Sequence, residues 1–268
     1  MTEVLSTGRV VGSWRGAVLR VEGYWLWYRR YWRSNLYSTG LQPLFFLAAM
    51  GLGFGSQVQP GTATGGLSYL HYVAPALLVS ASMMLAVGES TYPVLSGFKW
   101  QKDYLAATAT PISPGQVLGG HLLWVALRLT LAAAVYALMA LLLGGWLNAG
   151  ALLVVVVGVA TGLACAAPVC AFAASTYDEG TRFATLFRFV VMPMTLFAGT
   201  FFPIDQIPLA LRWLAWISPL WHGTELARGV TLGTLDLLAG LGHAAFLIAL
   251  FAGGFVLARR FFYKRLVV

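Results

Sequence analysis

The stretch GTFFPIDQIPLALRWLAWISPLWHGTELARG, Gly199 to Gly229, decides what kind of fold the chain can adopt. It is rich in leucine and aromatic residues, yet three prolines interrupt it and it carries several polar side chains: Asp205, Arg212, His222, Glu225 and Arg228. Such a segment is too polar to cross a bilayer and too apolar for an ordinary loop. Long apolar runs flank it, so it predicts a chain built around a membrane.

The composition of the whole chain agrees with this prediction. Of 268 residues, 59% are hydrophobic and only 10% are charged, whereas soluble domains carry about 25% charged residues. The apolar runs are continuous rather than alternating, which favours helical spans over a β-barrel. We predict one all-α membrane domain with spans at roughly 37–57, 72–95, 115–144, 149–175, 184–201 and 237–258.

The placement of positive charge predicts the topology. The net charge is +8, and Lys and Arg accumulate before the first span, after the second and fourth spans, and in the tail RRFFYKR. Because these residues concentrate on cytoplasmic loops, both termini are expected in the cytoplasm. Residues 1–35 then form a cytoplasmic N-terminal segment and residues 36–268 a transmembrane domain, and the stretch from Gly199 to Gly229 enters the outer leaflet and returns.

The N-terminal segment contains a helical pattern of aromatic residues. Its stripe has the spacing i, i+4, i+7, i+11, i+14 and i+18, and consists of Trp14, Val18, Val21, Trp25, Tyr28 and Trp32. Arginines occupy the neighbouring face, as in a helix that lies in the membrane surface on anionic lipid. Two interpretations stay open: a plain juxtamembrane anchor, or a connector that also contacts a cytoplasmic partner.

The joint after the second span, GFKWQKDYLAATATPISPGQ, is short and basic. Residues Lys99 to Ala107 can form about two helical turns, and such a knob has the shape needed to enter a groove of another protein. Tyr104 and Leu105 would be its apolar plug, surrounded by Lys99, Lys102 and Asp103. The alternative is an ordinary polar loop.

Two charged residues fall inside predicted spans, Glu89 near the inner end of the second and Arg128 in the middle of the third. An intramembrane charge has a partner or faces a water-filled cavity, so Glu89 either pairs with a neighbouring cation or serves as a proton site. The phosphate-binding pattern G-x-x-x-x-G-K-[ST] does not occur, and no clustered metal ligands or catalytic motif stands out. The chain is therefore not expected to bind ATP or a metal ion, or to act as an enzyme by itself.

Four stretches carry a resemblance to a known family. They are WRSNLYSTGLQPLFFLAAMGLGFG, YVAPALLVSASMMLAVGES, DYLAATATPISPGQVLGG and MPMTLFAGTFFPIDQIPLALRWLAWISPLWHGTELARG. The chain resembles the permease subunits of ABC-2 type transporters, in the branch of nodulation-protein J and drug-resistance exporters. The likeness extends over nearly the whole chain, and the last stretch is its most specific part.

The resemblance implies several parts that composition does not reveal. Family members have six membrane helices, an N-terminal amphipathic connector helix, and a cytoplasmic coupling helix between the second and third spans. Two short re-entrant helices, here about residues 202–230, precede the last span on the outer side. Their polar and aromatic side chains would form an outer gate: Phe202, Asp205, His222, Glu225 and Arg228.

The resemblance also implies partners and a location. Two permease subunits, identical or homologous, pair in the bacterial inner membrane above two cytoplasmic ATPase subunits, which bind ATP and Mg²⁺. Membrane lipids are expected to contact the chain, and nucleic acid is not. No cofactor is expected in this chain.

These features predict an exporter subunit that moves an amphipathic drug, lipid or lipid-linked glycan outward. Adaptable apolar side chains suit such cargo, and the predicted pathway consists of Phe45, Phe46, Met83, Met84 and Phe197. A proton-coupled secondary exporter with Glu89 and Arg128 as a relay is the main alternative. A membrane enzyme acting on lipids, with His222 and Glu225 as acid and base, is a further one.

Overall fold

The computed structural model describes residues 12–33, 42–59 and 66–267. Helices dominate these ranges, and we number them in chain order. They are α1 (Ser13–Arg30), α2 (Gln42–Leu47, continued by Ala48–Gly53 and Phe54–Gln57), α3 (Tyr69–Ser90, continued by Tyr92–Phe98), α4 (Asp103–Thr108), α5 (Pro114–Leu142), α6 (Ala151–Ala174), α7 (Thr181–Leu186, continued by Phe187–Val191 and Met192–Phe197), α8 (Leu209–Trp216), α9 (Pro219–Leu232) and α10 (Leu237–Leu266).

Among the described residues, four helices are long and apolar enough to cross a membrane, namely α3, α5, α6 and α10. They coincide with the predicted spans 72–95, 115–144, 149–175 and 237–258, although α10 continues through the basic tail to Leu266. The described ranges contain no strand. The all-helical prediction is therefore confirmed, and these helices are compatible with an integral membrane protein.

The other two predicted spans correspond to shorter and irregular helices. Span 37–57 matches α2, of which Leu44–Gln57 is apolar, while residues 37–41 lie outside the described ranges. Span 184–201 matches α7, which contains a π-helical turn at Phe187–Val191. Pro193 follows that turn, and because proline has no N–H to donate, the regular hydrogen-bond ladder is interrupted there.

Helix α6 lies at the centre of the bundle and packs against α3, α5, α9 and α10. Its small residues allow this close approach, as in many membrane helices. One close contact joins Gly254 of α10 to the backbone of α6, where an added Cβ at position 254 would lie 2.5 Å from the Pro168 nitrogen. The two helices can approach this closely only because residue 254 has no side chain.

The two ends of the bundle differ in chemistry. One end carries α1, α4, the residues that follow α6, and the basic last turn of α10 with Lys264 and Arg265; we call it the basic end. The other end carries α8, α9 and the short joint after α5, where Asn148 donates a hydrogen bond to the Thr231 carbonyl. Each end therefore brings together segments that are distant in sequence.

Candidate functional site

At the basic end, α1 docks along the first turns of α5. Gly120 makes this possible, because an added Cβ would lie 2.8 Å from the Ala17 carbonyl oxygen and 2.5 Å from the Arg20 Cβ. The side-chain amide of Gln116 donates a hydrogen bond to the Gly12 carbonyl at 3.2 Å. The helix is thus attached to the bundle along one face, and three of its tryptophans are exposed: Trp14, Trp25 and Trp27.

An ion pair joins α1 to α4. Arg20 Nη2 lies 2.6 Å from Asp103 Oδ2 and donates a second bond to the Tyr24 hydroxyl at 3.1 Å. The Arg20 side chain is only 15% exposed, so water screens the pair less than it screens a surface pair. The short helix after α3 is therefore held by the N-terminal helix.

Tyr104 provides a second connection, directed into the protein. Its ring is buried, meets the Phe98 ring edge-on and lies tilted against the Phe262 ring. The ring also occupies the space next to Gly97, where an added Cβ would lie 2.6 Å from it. The Tyr24 hydroxyl donates to the Tyr104 oxygen at 3.3 Å. Burial raises the pKa of Tyr104 well above its ordinary value, so the phenol stays neutral.

The structure corrects two details of the predicted knob. The helix begins at Asp103 rather than Lys99, because Lys102 has a left-handed backbone with φ of 55° that interrupts the helical turn before it. Tyr104 cannot act as an exposed plug, since its ring is fully buried within this chain. Several residues around this helix are exposed, and we call three of them, Lys102, Leu105 and Ala106, the coupling surface.

The predicted knob residue Lys99 connects the α3–α4 junction to the loop after α6. Its Nζ lies 2.6 Å from Glu179 Oε1, and the Trp100 indole donates to Glu179 Oε2 at 3.0 Å. These two hydrogen bonds lower the pKa of the Glu179 carboxyl. Arg265 of α10 donates to carbonyls at the end of α6, including Thr176 at 2.7 Å, so four segments meet at the basic end.

The two predicted intramembrane charges are partners. Arg128 of α5 donates to the Glu89 carboxylate of α3, and both side chains are largely buried. The Arg128 guanidinium also lies 5.4 Å from the centre of the Tyr28 ring on α1. The pair therefore links α3 and α5 beneath α1, as the pairing interpretation of Glu89 predicted.

At the opposite end, Arg228 of α9 is buried among backbone carbonyls. It donates to Tyr72 at 3.2 Å and to Thr200 at 2.9 Å, and its guanidinium lies 3.7 Å from the centre of the Tyr72 ring. Glu225, one turn earlier, is 4.0 Å away and half exposed. Arg228 thus joins α9 to α3 and to the segment after α7.

The remaining predicted gate residues do not form one cluster with Arg228. Asp205 is exposed, and its Oδ1 lies 3.9 Å from Arg212 Nη1. Phe202 is partly exposed. His222 Nδ1 lies 2.7 Å from His243 Nδ1 on α10, and its Nε2 donates to the Trp216 carbonyl. Both ring nitrogens of His222 are therefore engaged, an arrangement that does not present a free acid–base pair with Glu225.

The predicted pathway residues differ in how much of each side chain is exposed. Phe45, Phe46 and Met84 are exposed and Phe197 is half-buried, whereas Met83 lies entirely in the core and cannot line a pathway in this conformation. A groove of about 270 Å³ lies between α2, the start of α3 and Phe202. A second groove, of about 340 Å³, lies between Met84 and α7.

Several residues of these sites were not singled out from the sequence. Gly16, Arg20 and Tyr24 follow one another at intervals of four residues on α1. This pattern predicts that they share one face of the helix but does not predict what that face contacts. His243 and Trp100 carried no sequence signal that sets them apart from other residues of apolar helices and loops. Their roles arise from contacts between segments far apart in the chain.

Comparisons with known proteins identify the family. The profile of the ABC-2 type transporter family matches residues 22–232. The chain is similar to proteins named nodulation protein J, at 31% identity for that of Rhizobium leguminosarum bv. viciae (78% of this chain, 82% of the relative). The corresponding protein of Rhizobium meliloti (strain 1021) is 27% identical over 84% of this chain and 88% of its own length.

A similar relation holds for the nodulation protein J of Neorhizobium galegae, at 26% identity over 87% of this chain and 85% of the relative. The family comprises transmembrane components of ABC transporters, whose ATPase activity lies in separate subunits. Its profile covers far more than half of the chain, from α1 through α9. The chain belongs to the ABC-2 type transporter family.

Proposed function

We propose that this chain is the membrane subunit of an ATP-driven exporter, coupled through its basic end to two ATPase subunits. The observation that carries the proposal is the coupling surface of Lys102, Leu105 and Ala106, which is exposed while its helix is held from behind by Arg20 and Tyr104. A small rigid projection of this kind can transmit a push from a partner without deforming.

The route of such a push follows the contacts of α4. Tyr104 touches Phe262 of α10 and Phe98 at the end of α3, and Asp103 holds Arg20 of α1. Displacement of α4 therefore acts on three helices together. ATP and Mg²⁺ would bind in the partner subunits, and the basic end would face the cytoplasm of a bacterial cell.

The proposal includes a particular arrangement in the membrane. Helices α2 and α7 complete six spans, both termini lie in the cytoplasm, and α8 with α9 form the outer re-entrant pair. A second permease subunit, identical or homologous, faces α2 and α7, whose exposed residues Phe45, Phe189 and Met192 are apolar. The cargo is an amphipathic drug, lipid or lipid-linked glycan, and roles in multidrug efflux and antibiotic resistance follow if it is a drug.

The test is a pull-down of the tagged chain from its own membranes in mild detergent, followed by an ATPase assay. We expect an ATPase to co-purify with the wild-type chain and to be lost at least in part from Leu105→Ser. The matched control is Leu209→Ser, an exposed leucine of α8 at the opposite end, which should retain the partner. Equal retention by both variants would contradict the role of the coupling surface.

The proton-coupled alternative makes a different prediction. A relay through Glu89 and Arg128 needs the carboxyl to gain and lose a proton, whereas in this structure the Arg128 guanidinium engages the carboxylate directly. Transport by a purified, ATPase-free chain that stops when the proton gradient is collapsed would establish the alternative. Transport that requires ATP and survives collapse of the gradient would exclude it.

A further inference from the structure

An arginine without a protein partner lies within the irregular helix α7. Arg188 belongs to the π-helical turn FRFVV, Phe187–Val191. Among the residues that the structure describes, none forms a hydrogen bond or ion pair with its guanidinium. Its side chain is exposed, and it lies about 10 Å along the helix from Thr181, near the start of the predicted span 184–201.

A groove lies directly beside this cation. It has a volume of about 340 Å³ and separates α3 from α7, with Met84, Phe187, Val191 and Met192 in its wall. Among the described residues that line it, Arg188 alone is charged. The Thr195 hydroxyl, which also lines the groove, donates a hydrogen bond to the Val191 carbonyl at 2.8 Å. Its hydrogen is therefore already engaged within α7.

The backbone at this position is itself unusual. A π-helical turn contains one more residue than a regular turn, and such turns are frequent at functional sites. The helix resumes with Met192–Phe197, whose second residue is Pro193. Arg188 lines the groove together with residues one turn before and after it, Ala184 and Met192.

The outer surface of α7 next to the groove is apolar. Phe189 is 69% exposed, Val190 is 51% exposed and Leu196 is 46% exposed. Where these side chains face hydrocarbon rather than a second permease subunit, a molecule dissolved in the membrane reaches the groove without crossing a polar barrier. Arginine binds phosphate and carboxylate groups with two parallel hydrogen bonds.

We propose that this groove binds an acidic membrane amphiphile, with Arg188 on its headgroup and the apolar wall on its chain. The inference rests on the proposed exporter function and narrows its cargo to amphiphiles that carry a negative charge. The combination of this cation with apolar walls favours such a ligand over a neutral or cationic one, because an anionic headgroup forms stronger, charge-assisted hydrogen bonds with a guanidinium than a neutral group does.

Binding is tested without ATP and without any requirement for transport. The full chain, with the subunits that accompany it, is placed in phosphatidylcholine nanodiscs, and retention of radiolabelled lysophosphatidic acid is measured by scintillation proximity. Lysophosphatidylcholine with the same chain and glycerol 3-phosphate compete in separate arms. We expect lysophosphatidylcholine to compete at least tenfold more weakly than unlabelled lysophosphatidic acid, and the free headgroup to compete weakly at most.

Three variants locate the binding. Arg188→Gln should weaken retention by about tenfold, as expected for the loss of a charge-assisted hydrogen bond, and Arg188→Lys should restore most of it. The matched control is Arg182→Gln on the same helix, where the arginine is 64% exposed and already paired with Asp178; its retention should equal that of the wild type.

Unchanged retention by Arg188→Gln, equal loss in Arg182→Gln, or equal competition by the two lysolipids would each overturn the proposal. Competition by glycerol 3-phosphate as strong as by the lipid would also do so, since it would identify a water-accessible phosphate site. None of these results affects the exporter assignment, which depends on the co-purifying ATPase.

Discussion

Arg20 and Asp103, 83 residues apart in the sequence, form an ion pair of 2.6 Å that fixes α4 to α1. The N-terminal helix is therefore more than an anchor at the membrane surface. It forms one side of the support beneath the coupling surface, and Tyr104 forms the other. The sequence left open whether α1 is a plain anchor or a connector that also contacts a cytoplasmic partner, and the contact with such a partner stays a prediction.

The first prediction concerns this pair. In a double-mutant cycle, Arg20→Met and Asp103→Asn should show a coupling free energy of about 1 kcal/mol, a modest value because the Asp103 side chain is partly exposed to solvent. Thermal unfolding in detergent measures it. Arg15→Met combined with Asp103→Asn is the control, since Arg15 is exposed on the same helix, and coupling of equal size there would refute a specific bridge.

A second prediction uses two adjacent glycines of α10. Gly254→Ala should destabilise the protein by about 1–3 kcal/mol, because the new methyl group overlaps the Pro168 backbone. Gly253→Ala should be neutral or stabilising by up to about 1 kcal/mol, because nothing lies within 4 Å of its Cβ position and alanine favours the helix. Melting temperatures of the two variants provide the comparison, and the reverse order would contradict the packing described.

The third prediction is a pH dependence at the basic end. The hydrogen bonds from Lys99 and Trp100 lower the pKa of Glu179 from its ordinary 4.5, so their stabilising effect is fully present above that value. It is lost as the pH falls through the lowered value of the folded protein. The difference in melting temperature between wild type and Glu179→Gln should thus be largest near neutral pH and vanish in acid.

The background for this experiment is the variant Lys99→Met with Trp100→Phe, which removes both donors. There, Glu179→Gln should change the melting temperature little at any pH. A pH-dependent difference that persists in this background would show that Glu179 acts through other contacts.

The fourth prediction concerns Arg228. Arg228→Met leaves the carbonyls of Tyr72 and Thr200 without their donor, and each unsatisfied buried group costs about 1–3 kcal/mol. Arg228→Lys should recover only part of the stability, since an ammonium group cannot reproduce the planar fork or its stacking on Tyr72. Arg212→Met, on the more exposed α8, should have a smaller effect on thermal unfolding, and an equal effect would argue against the central role of Arg228.

The fold was predictable where one stretch of sequence determines the outcome. The apolar runs that became α3, α5, α6 and α10 are long enough to identify spans without any tertiary information. A cationic partner for Glu89 was predictable because a charge inside a span needs one, whereas its identity as Arg128 emerged only from the packing of α3 against α5. The interruption of α7 also has a local cause in Pro193, although the apolar run alone predicted a regular span.

The site was predictable only in part, because its contacts join distant segments. The inward orientation of Tyr104 depends on the open space at Gly97 and on Phe262, more than 150 residues away in the sequence. The start of α4 depends on the left-handed backbone of Lys102, which lysine adopts rarely. Neither feature can be read from helical spacing.

The length of α10 has a practical consequence. Its 30 residues extend about 45 Å, whereas the hydrocarbon layer is about 30 Å thick, so its last turns continue beyond the bilayer as a stiff rod. Arg265 clamps this rod to the end of α6. A fluorophore or spin label attached just after Leu266 would thus report the tilt of the last helix during a transport cycle, rather than independent motion of a flexible segment.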